Sequence, residues 1–321
     1  MANANLFIIR NLKRNSEVKL NGLHNLNPMK GFGAFKNYIF SLTLWLEKIN
    51  YFLFKKIELP QIEFVLTTKC TLQCKHCANF IPTIESQNHT TITFNEFKKD
   101  IDNLCGAVSK INNLLLLGGE PLLIKELPEM FKYVAQHKKI KNIWIVTNGT
   151  LLPNEELIAL FKEHRKKSTL WISNYSNNSE LKRVLKNEKI ITLLKQNKIN
   201  YVYNEDLMWD TVSMFKDNGR NIEENKHYYK NCIHPCVSVI DGEIHVCPRS
   251  STFKMNNVFE FNKDEIVNLR ELKTSQNLKQ ELIRFYSRDY FKACNFCNFH
   301  EDMQLDKVIP AIQIGENNEI K

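Results

Sequence analysis

From Ile62 onward, short apolar runs alternate with longer stretches in which apolar residues recur every three or four positions. The short runs Ile62–Thr68, Leu114–Leu117, Ile143–Thr147, Thr169–Ser173 and Asn200–Tyr203 read as buried strands. Between them, Thr93–Ser109, Lys125–His137, Asn154–Lys166 and Glu180–Gln196 read as amphipathic helices, the first opening on a capping box of Thr93 and Glu96. Five such units in succession predict an α/β fold with a parallel sheet wrapped by helices. Their number suits an incomplete barrel better than an eight-fold one, which takes about 250 residues.

The flanking sequence has a different texture. Residues 1–30 are polar, basic and rich in Asn, which predicts a loosely ordered arm. Between Gly31 and Lys56, Phe32, Phe35, Tyr38, Ile39, Leu42, Leu46, Ile49, Phe52 and Leu53 recur at helical spacing. Lys36, Glu47, Lys48 and Lys55 interrupt this run too often for a transmembrane span, so it predicts a helix laid on the main domain, on a partner or on a membrane surface. After Asn204 regular alternation stops, placing a boundary near residues 205–230. There Val237–Ile240 and Glu243–Val246 flank Asp241-Gly242, a strong hairpin signal. Residues 264–292 read as one helix, and the stretch after Gln304 shows no period and is expected to be disordered. The expected divisions are therefore 1–58, 59–205, 206–303 and 304–321.

With 321 residues and 43% hydrophobic residues, the chain can bury a substantial core. A net charge of +9 suits phosphate-bearing or acidic partners without choosing among them, and nucleic acid is not favoured. Nine cysteines cannot all pair in disulfides, and Met1–Gly22 holds no apolar run long enough for a secretion signal. Both features point to the reducing cytoplasm, where clustered thiols hold metal. Cys105, inside a helical apolar pattern, reads as a small core residue.

Cys70, Cys74 and Cys77 place three thiols in the spacing CxxxCxxC directly after a strand. Three ligands on a four-iron cluster leave one iron open, the arrangement expected of a reactive rather than a structural centre. A structural zinc site is the alternative, although His76 lies within the motif where it cannot easily share an ion with both neighbours. One unit later comes Gly118-Gly119-Glu120-Pro121. Its glycines allow close backbone approach to a ligand, and Glu120 offers a carboxylate to an ammonium group.

These two motifs together resemble the radical S-adenosylmethionine (SAM) superfamily. The resemblance, over about residues 60–205, implies a partial (β/α)6 barrel. It also implies a [4Fe–4S] cluster on Cys70, Cys74 and Cys77, with SAM chelated to the open iron. His76 takes the aromatic position before the last cysteine, and Gly118, Gly119, Glu120 and Pro121 correspond to the segment beside the methionine amino group. Asn148, in Thr147-Asn148-Gly149, and Ser173, in Ser173-Asn174, match in position the contacts to SAM ribose and carboxylate. The implied chemistry is reductive cleavage of SAM to a 5′-deoxyadenosyl radical, which abstracts hydrogen from a substrate.

The second thiol group comprises Cys232, Cys236, Cys247, Cys294 and Cys297. The spacing C-x9-G-x4-C followed by CxxC resembles the C-terminal extensions called SPASM and twitch, and implies one auxiliary [4Fe–4S] cluster. Five thiols exceed four ligand positions, so Cys232 or Cys236 is left as a possible redox-active or hydrogen-donating thiol; zinc is the alternative metal. His227, His234, His245 and His300 are further potential ligands. Arg249 faces either a substrate anion or solvent. Asp206, Asp210 and Asp241 are acids without an assigned role, Asp241 also being the turn residue of its hairpin. The resulting expectation is a cytoplasmic oxidoreductase or epimerase acting on a polar small molecule or carbohydrate, reduced by a flavodoxin or ferredoxin. The alternatives are a peptide-modifying radical enzyme and a zinc-stabilised module binding nucleic acid or protein.

Overall fold

The structure, a computed structural model, describes residues 53, 56–203, 208–211, 215–230, 232, 237–271, 274–298 and 305–315. The arm and most of the aromatic stretch 31–56 lie outside the described residues, as do Cys236, Asp206, His234 and His300.

The strands are β1 (Glu58–Thr67), β2 (Lys110–Gly118), β3 (Ile140–Thr147), β4 (Ser168–Ile172), β5 (Tyr201–Tyr203), β6 (Trp209–Asp210), β7 (Ser238–Ile240), β8 (Glu243–His245), β9 (Val267–Asn268) and β10 (Lys307–Val308). The helices are α1 (Phe94–Ala107), α2 (Leu127–Gln136), α3 (Glu155–Glu163), α4 (Asn187–Gln196), α5 (Ile222–Lys230), α6 (Pro248–Met255) and α7 (Ser275–Tyr286). One sheet runs β5-β4-β3-β2-β1-β7-β8-β9. Its six strands from β5 to β7 are mutually parallel, while β8 and β9 add antiparallel edges. This is the mixed α/β fold with a parallel sheet that the alternating pattern predicts, consistent with a partial barrel. Because β7 pairs with β1, the cysteine-rich extension continues the sheet of the preceding units.

Local signals explain the elements. Thr93 and Glu96 form the expected capping box at the start of α1. Lys139 Nζ, entering β3, donates to the carbonyls of Cys105 and Val108 at the end of α1. Lys167, entering β4, does the same at the carbonyls of Val134, Ala135 and His137 beyond α2. Both lysines satisfy carbonyls that helix ends leave unpaired. Cys105 is buried in the core, and the hairpin turn has left-handed Asp241 (φ 48°) and Gly242 (φ 78°), as an Asp-Gly turn requires.

Three element predictions need correction. Over Glu180–Gln196, the α-helix begins only at Asn187; Asn178 first caps a short 3-10 turn and donates to the carbonyls of Pro310 and Ala311. Residues 264–292 do not form one helix. Asn262 and Glu265 cap a 3-10 turn, Val267 and Asn268 pair with β8, and α7 starts anew at its Thr274 cap. Residues 305–315 are not a disordered tail, since β10 pairs with β6 and Lys75 and Ile314 donate backbone hydrogen bonds to Ile312 and Gln73. No helix among the described residues is long and apolar enough to cross a membrane.

Candidate active site

Parallel strands bring their C-terminal ends to one side of the sheet. The cysteine loop after β1, Gly118 at the end of β2, Thr147 at the end of β3 and Ser173 after β4 therefore converge. They line a cavity of about 480 Å³ that also takes in Cys232, Cys247, Cys294 and Cys297 from the extension. Seven cysteines of both groups thus face a single space.

The glycine pair is a packing requirement before it is a ligand contact. A Cβ on Gly118 would lie 2.2 Å from the Thr67 carbonyl oxygen, and one on Gly119 would lie 2.2 Å from that of Lys69. The approach is this close because Gly119 N–H donates to Thr67 O at 2.7 Å and Glu120 N–H donates to Lys69 O at 2.9 Å, tying the end of β2 to the cysteine loop. Gly118 and Gly119 line the cavity, whereas Glu120 and Pro121 are not among its walls.

Glu120, the acid expected beside an ammonium group, turns inward in the structure. Its fully buried carboxylate accepts from Leu122 N–H (3.0 Å), Asn148 N–H (2.8 Å) and the Thr147 hydroxyl (2.9 and 3.0 Å). Burial pushes its pKa up, and these donors pull against that shift. Asn148, so fixed, donates through Nδ2 to Thr71 Oγ1 at 2.9 Å and reaches Cys70 Sγ at 3.5 Å; Thr71 and Thr150 share a hydroxyl contact of 2.6 Å. The chain Glu120, Asn148, Thr71 thus runs from β2 through β3 to the first cysteine.

The other thiols are equally well placed. Gln313 Nε2 lies 3.5 Å from Cys74 Sγ, and Ala311 packs with Leu72, Cys74, Tyr175 and Leu181. Burial pushes Cys74 up to about 12, and the neighbouring Cys77 adds to the shift. Burial likewise raises Cys70 and Cys77. In the extension burial pushes Cys247 up to about 12 and Cys294 well above its ordinary value, with Cys294 also feeling Cys247, Cys232 and Cys297. As free thiols these groups stay protonated; as thiolates they would repel one another in a low-dielectric cavity, which a cationic metal relieves. By donor type, three thiols in the cavity wall with the paired glycines and four from the extension are the kind of side chain that holds iron–sulfur clusters. Among the described residues, no three His, Cys, Asp or Glu side chains converge as closely as ligands of one ion do.

His76 and Ser173 also line the cavity. His227 and His245 do not; His245 is buried beside Ser250 and Glu243. Arg249 is buried rather than solvated, and its Nη1 donates to Cys297 Sγ at 3.0 Å. Asp210 is in the wall, ion-paired to Lys307, whereas Asp241 serves its turn. Sequence reading missed Glu63, Tyr175, Trp209, Tyr228 and Tyr229, which also line the wall, as does Arg249. Tyr175, two residues after Ser173, is within reach of strand-end logic; Gln313, in a segment without period, carries no signal.

Residues 64–221 match the family model described as the radical SAM superfamily. The chain carries a radical SAM domain. The Bacillus subtilis antilisterial bacteriocin subtilosin biosynthesis protein AlbA is 34% identical over 120 residues, 37% of this chain and 25% of that protein. The Aquifex aeolicus GTP 3′,8-cyclase is 31% identical over 183 residues, 50% of this chain and 54% of that protein. The chain thus spans from a quarter to about half the length of these curated relatives. The crystal structure of BtrN in complex with AdoMet and 2-DOIA is 16% identical, with a TM-score of 0.44 over 74% of this chain and 92% of that one.

Proposed function

We propose that this chain is a radical SAM enzyme with one auxiliary iron–sulfur cluster, acting in a reducing cytoplasm and drawing electrons from an acidic flavodoxin or ferredoxin. The observation that carries the reading is the single cavity of about 480 Å³ faced by both thiol groups. With a four-iron cluster and SAM bound, such a site supplies one-electron cleavage of SAM and hydrogen abstraction from substrate. Cys70, Cys74 and Cys77 would hold that cluster, leaving one iron for SAM. Gly118 and Gly119 give SAM a wall without side chains, and Asn148 and Ser173 present polar groups at the adjacent strand ends.

Cys232, Cys247, Cys294 and Cys297 would hold the second cluster. Four thiols fill its ligand positions, which favours a role in carrying an electron from the substrate over binding substrate directly. The aromatic wall of Tyr175, Trp209, Tyr228 and Tyr229 would limit the access of water to the reacting atoms once SAM and substrate fill the cavity.

For the substrate, the sequence alone favours a polar or carbohydrate-type molecule. The relative named for bacteriocin biosynthesis supports peptide modification at least as well, and we carry both readings. The test is anaerobic reconstitution with iron and sulfide, followed by dithionite and SAM. Formation of 5′-deoxyadenosine by the wild-type chain and none by Cys74→Ala supports the proposal; colourless, zinc-loaded protein inert toward SAM overturns it.

A further inference from the structure

The two thiol groups are joined by more than a shared cavity. Helix α6 starts at Cys247, its N-cap, and docks on the loop that follows Cys77: Thr252 Oγ1 donates to the Asn79 carbonyl at 2.7 Å, and Asn256 Nδ2 to Thr83 Oγ1 at 3.2 Å. Phe80, whose N–H bonds to the Cys77 carbonyl at 3.0 Å, enters the aromatic core of the extension, stacking on Phe253 at 5.8 Å. Phe253 in turn meets Phe296, next to Cys297, at 6.0 Å. On this bridge sits Arg249, its guanidinium 5.7 Å from the Phe80 ring centre and its Nη1 3.0 Å from Cys297 Sγ. Only 6% of the residue is exposed.

We propose that Arg249 is a positioning residue that fixes Cys297 and holds the auxiliary cluster at a higher reduction potential, by donating to one of its thiolates and placing a buried positive charge between the two thiol groups. Hydrogen bonds to sulfur and local charge are what set such potentials. Reduction adds negative charge, so a guanidinium that cannot deprotonate favours the reduced state. Its burial in the cavity wall limits screening by solvent. This accounts for a buried cation in the cavity wall beside the Phe80 ring, where burying a charge is costly unless it is paired.

The inference rests on the auxiliary-cluster reading, and one experiment separates the two. Iron is counted in the reconstituted wild-type chain; about four irons rather than about eight defeats the auxiliary cluster itself, before any variant is made. With about eight present, the midpoint potentials of both clusters are followed by electron paramagnetic resonance in Arg249→Gln and Arg249→Lys. We expect Arg249→Gln to weaken the auxiliary cluster's preference for its reduced state about tenfold, a fall of about 59 mV for one electron. Arg249→Lys, which keeps the charge, should stay closer to wild type. Auxiliary iron lost in Arg249→Gln but kept in Arg249→Lys also supports the charge role. Unmoved potentials in both variants, or auxiliary iron lost in both, would make Arg249 a packing residue and overturn the proposal.

Discussion

Glu120→Gln separates two roles that one acid in this position can have. In the structure its carboxylate is an internal acceptor for two backbone N–H groups and a hydroxyl, all donors. An amide has one acceptor oxygen, so whichever way it turns, either Leu122 N–H or Asn148 N–H faces an NH₂ group. A buried donor left unsatisfied costs roughly 1–3 kcal/mol, and the remaining bonds lose their charge assistance. Relief of the desolvation that raises the Glu120 pKa offsets part of this. The net expectation is a loss of about 2 kcal/mol, read by anaerobic urea unfolding of metal-free protein without SAM. Asn148 should then hold Cys70 and Thr71 less firmly, and SAM-cluster iron should be released faster to a chelator. Unchanged unfolding together with weakened SAM binding would refute the reasoning, because it would show the carboxylate acting on the ligand.

Arg270 Nε and Nη2 bind both oxygens of fully buried Asp100 at 2.8 and 2.9 Å, tying the extension to α1. Arg270→Ala strands that carboxylate and should cost roughly 3–5 kcal/mol in urea unfolding, more than the Asp100→Leu/Arg270→Met pair. Gln313→Ala removes one donor from Cys74 Sγ, so iron should leave the SAM cluster about fivefold faster, corresponding to a hydrogen bond of about 1 kcal/mol; an unchanged rate would deny residues 305–315 a role at the cluster. Burial works against ionisation of Glu243, yet His245 and Lys254 outweigh it and hold the pKa at about 2, below its ordinary 4.5. The stabilisation is therefore present above about pH 4.5 and lost as pH falls toward 2, and Glu243→Gln should flatten that limb of an acid-unfolding curve.

Much of this site is legible in the sequence because its chemistry is local along the chain. Cys70, Cys74 and Cys77 sit in one loop, and Gly118-Gly119 ends the next strand, so period and spacing alone place them together. Cys105 is readable as core for the same reason, since Phe97, Ile101 and Leu104 recur with it at helical spacing. What escapes depends on contacts between distant segments. The inward turn of Glu120 is set by Thr147 and Asn148 on the neighbouring strand. Arg249 looks like a surface charge until α6 is docked beside Cys297. Residues 305–315 have no periodicity because their order comes from pairing with β6 and with the cysteine loop. The helix expected across 264–292 fails because Asn262 and Thr274 each cap a separate element and the strand between them pairs with β8.

If the cysteines form two separate iron sites at one cavity, the decisive measurement is a count of iron and sulfide in anaerobically reconstituted wild type, Cys74→Ala and Cys297→Ala. Two such sites predict about eight irons in wild type and about four in each variant, with SAM cleavage kept at least in part by Cys297→Ala and lost in Cys74→Ala. Stoichiometric zinc in place of iron, or loss of all iron and all SAM cleavage in folded Cys297→Ala, would contradict them.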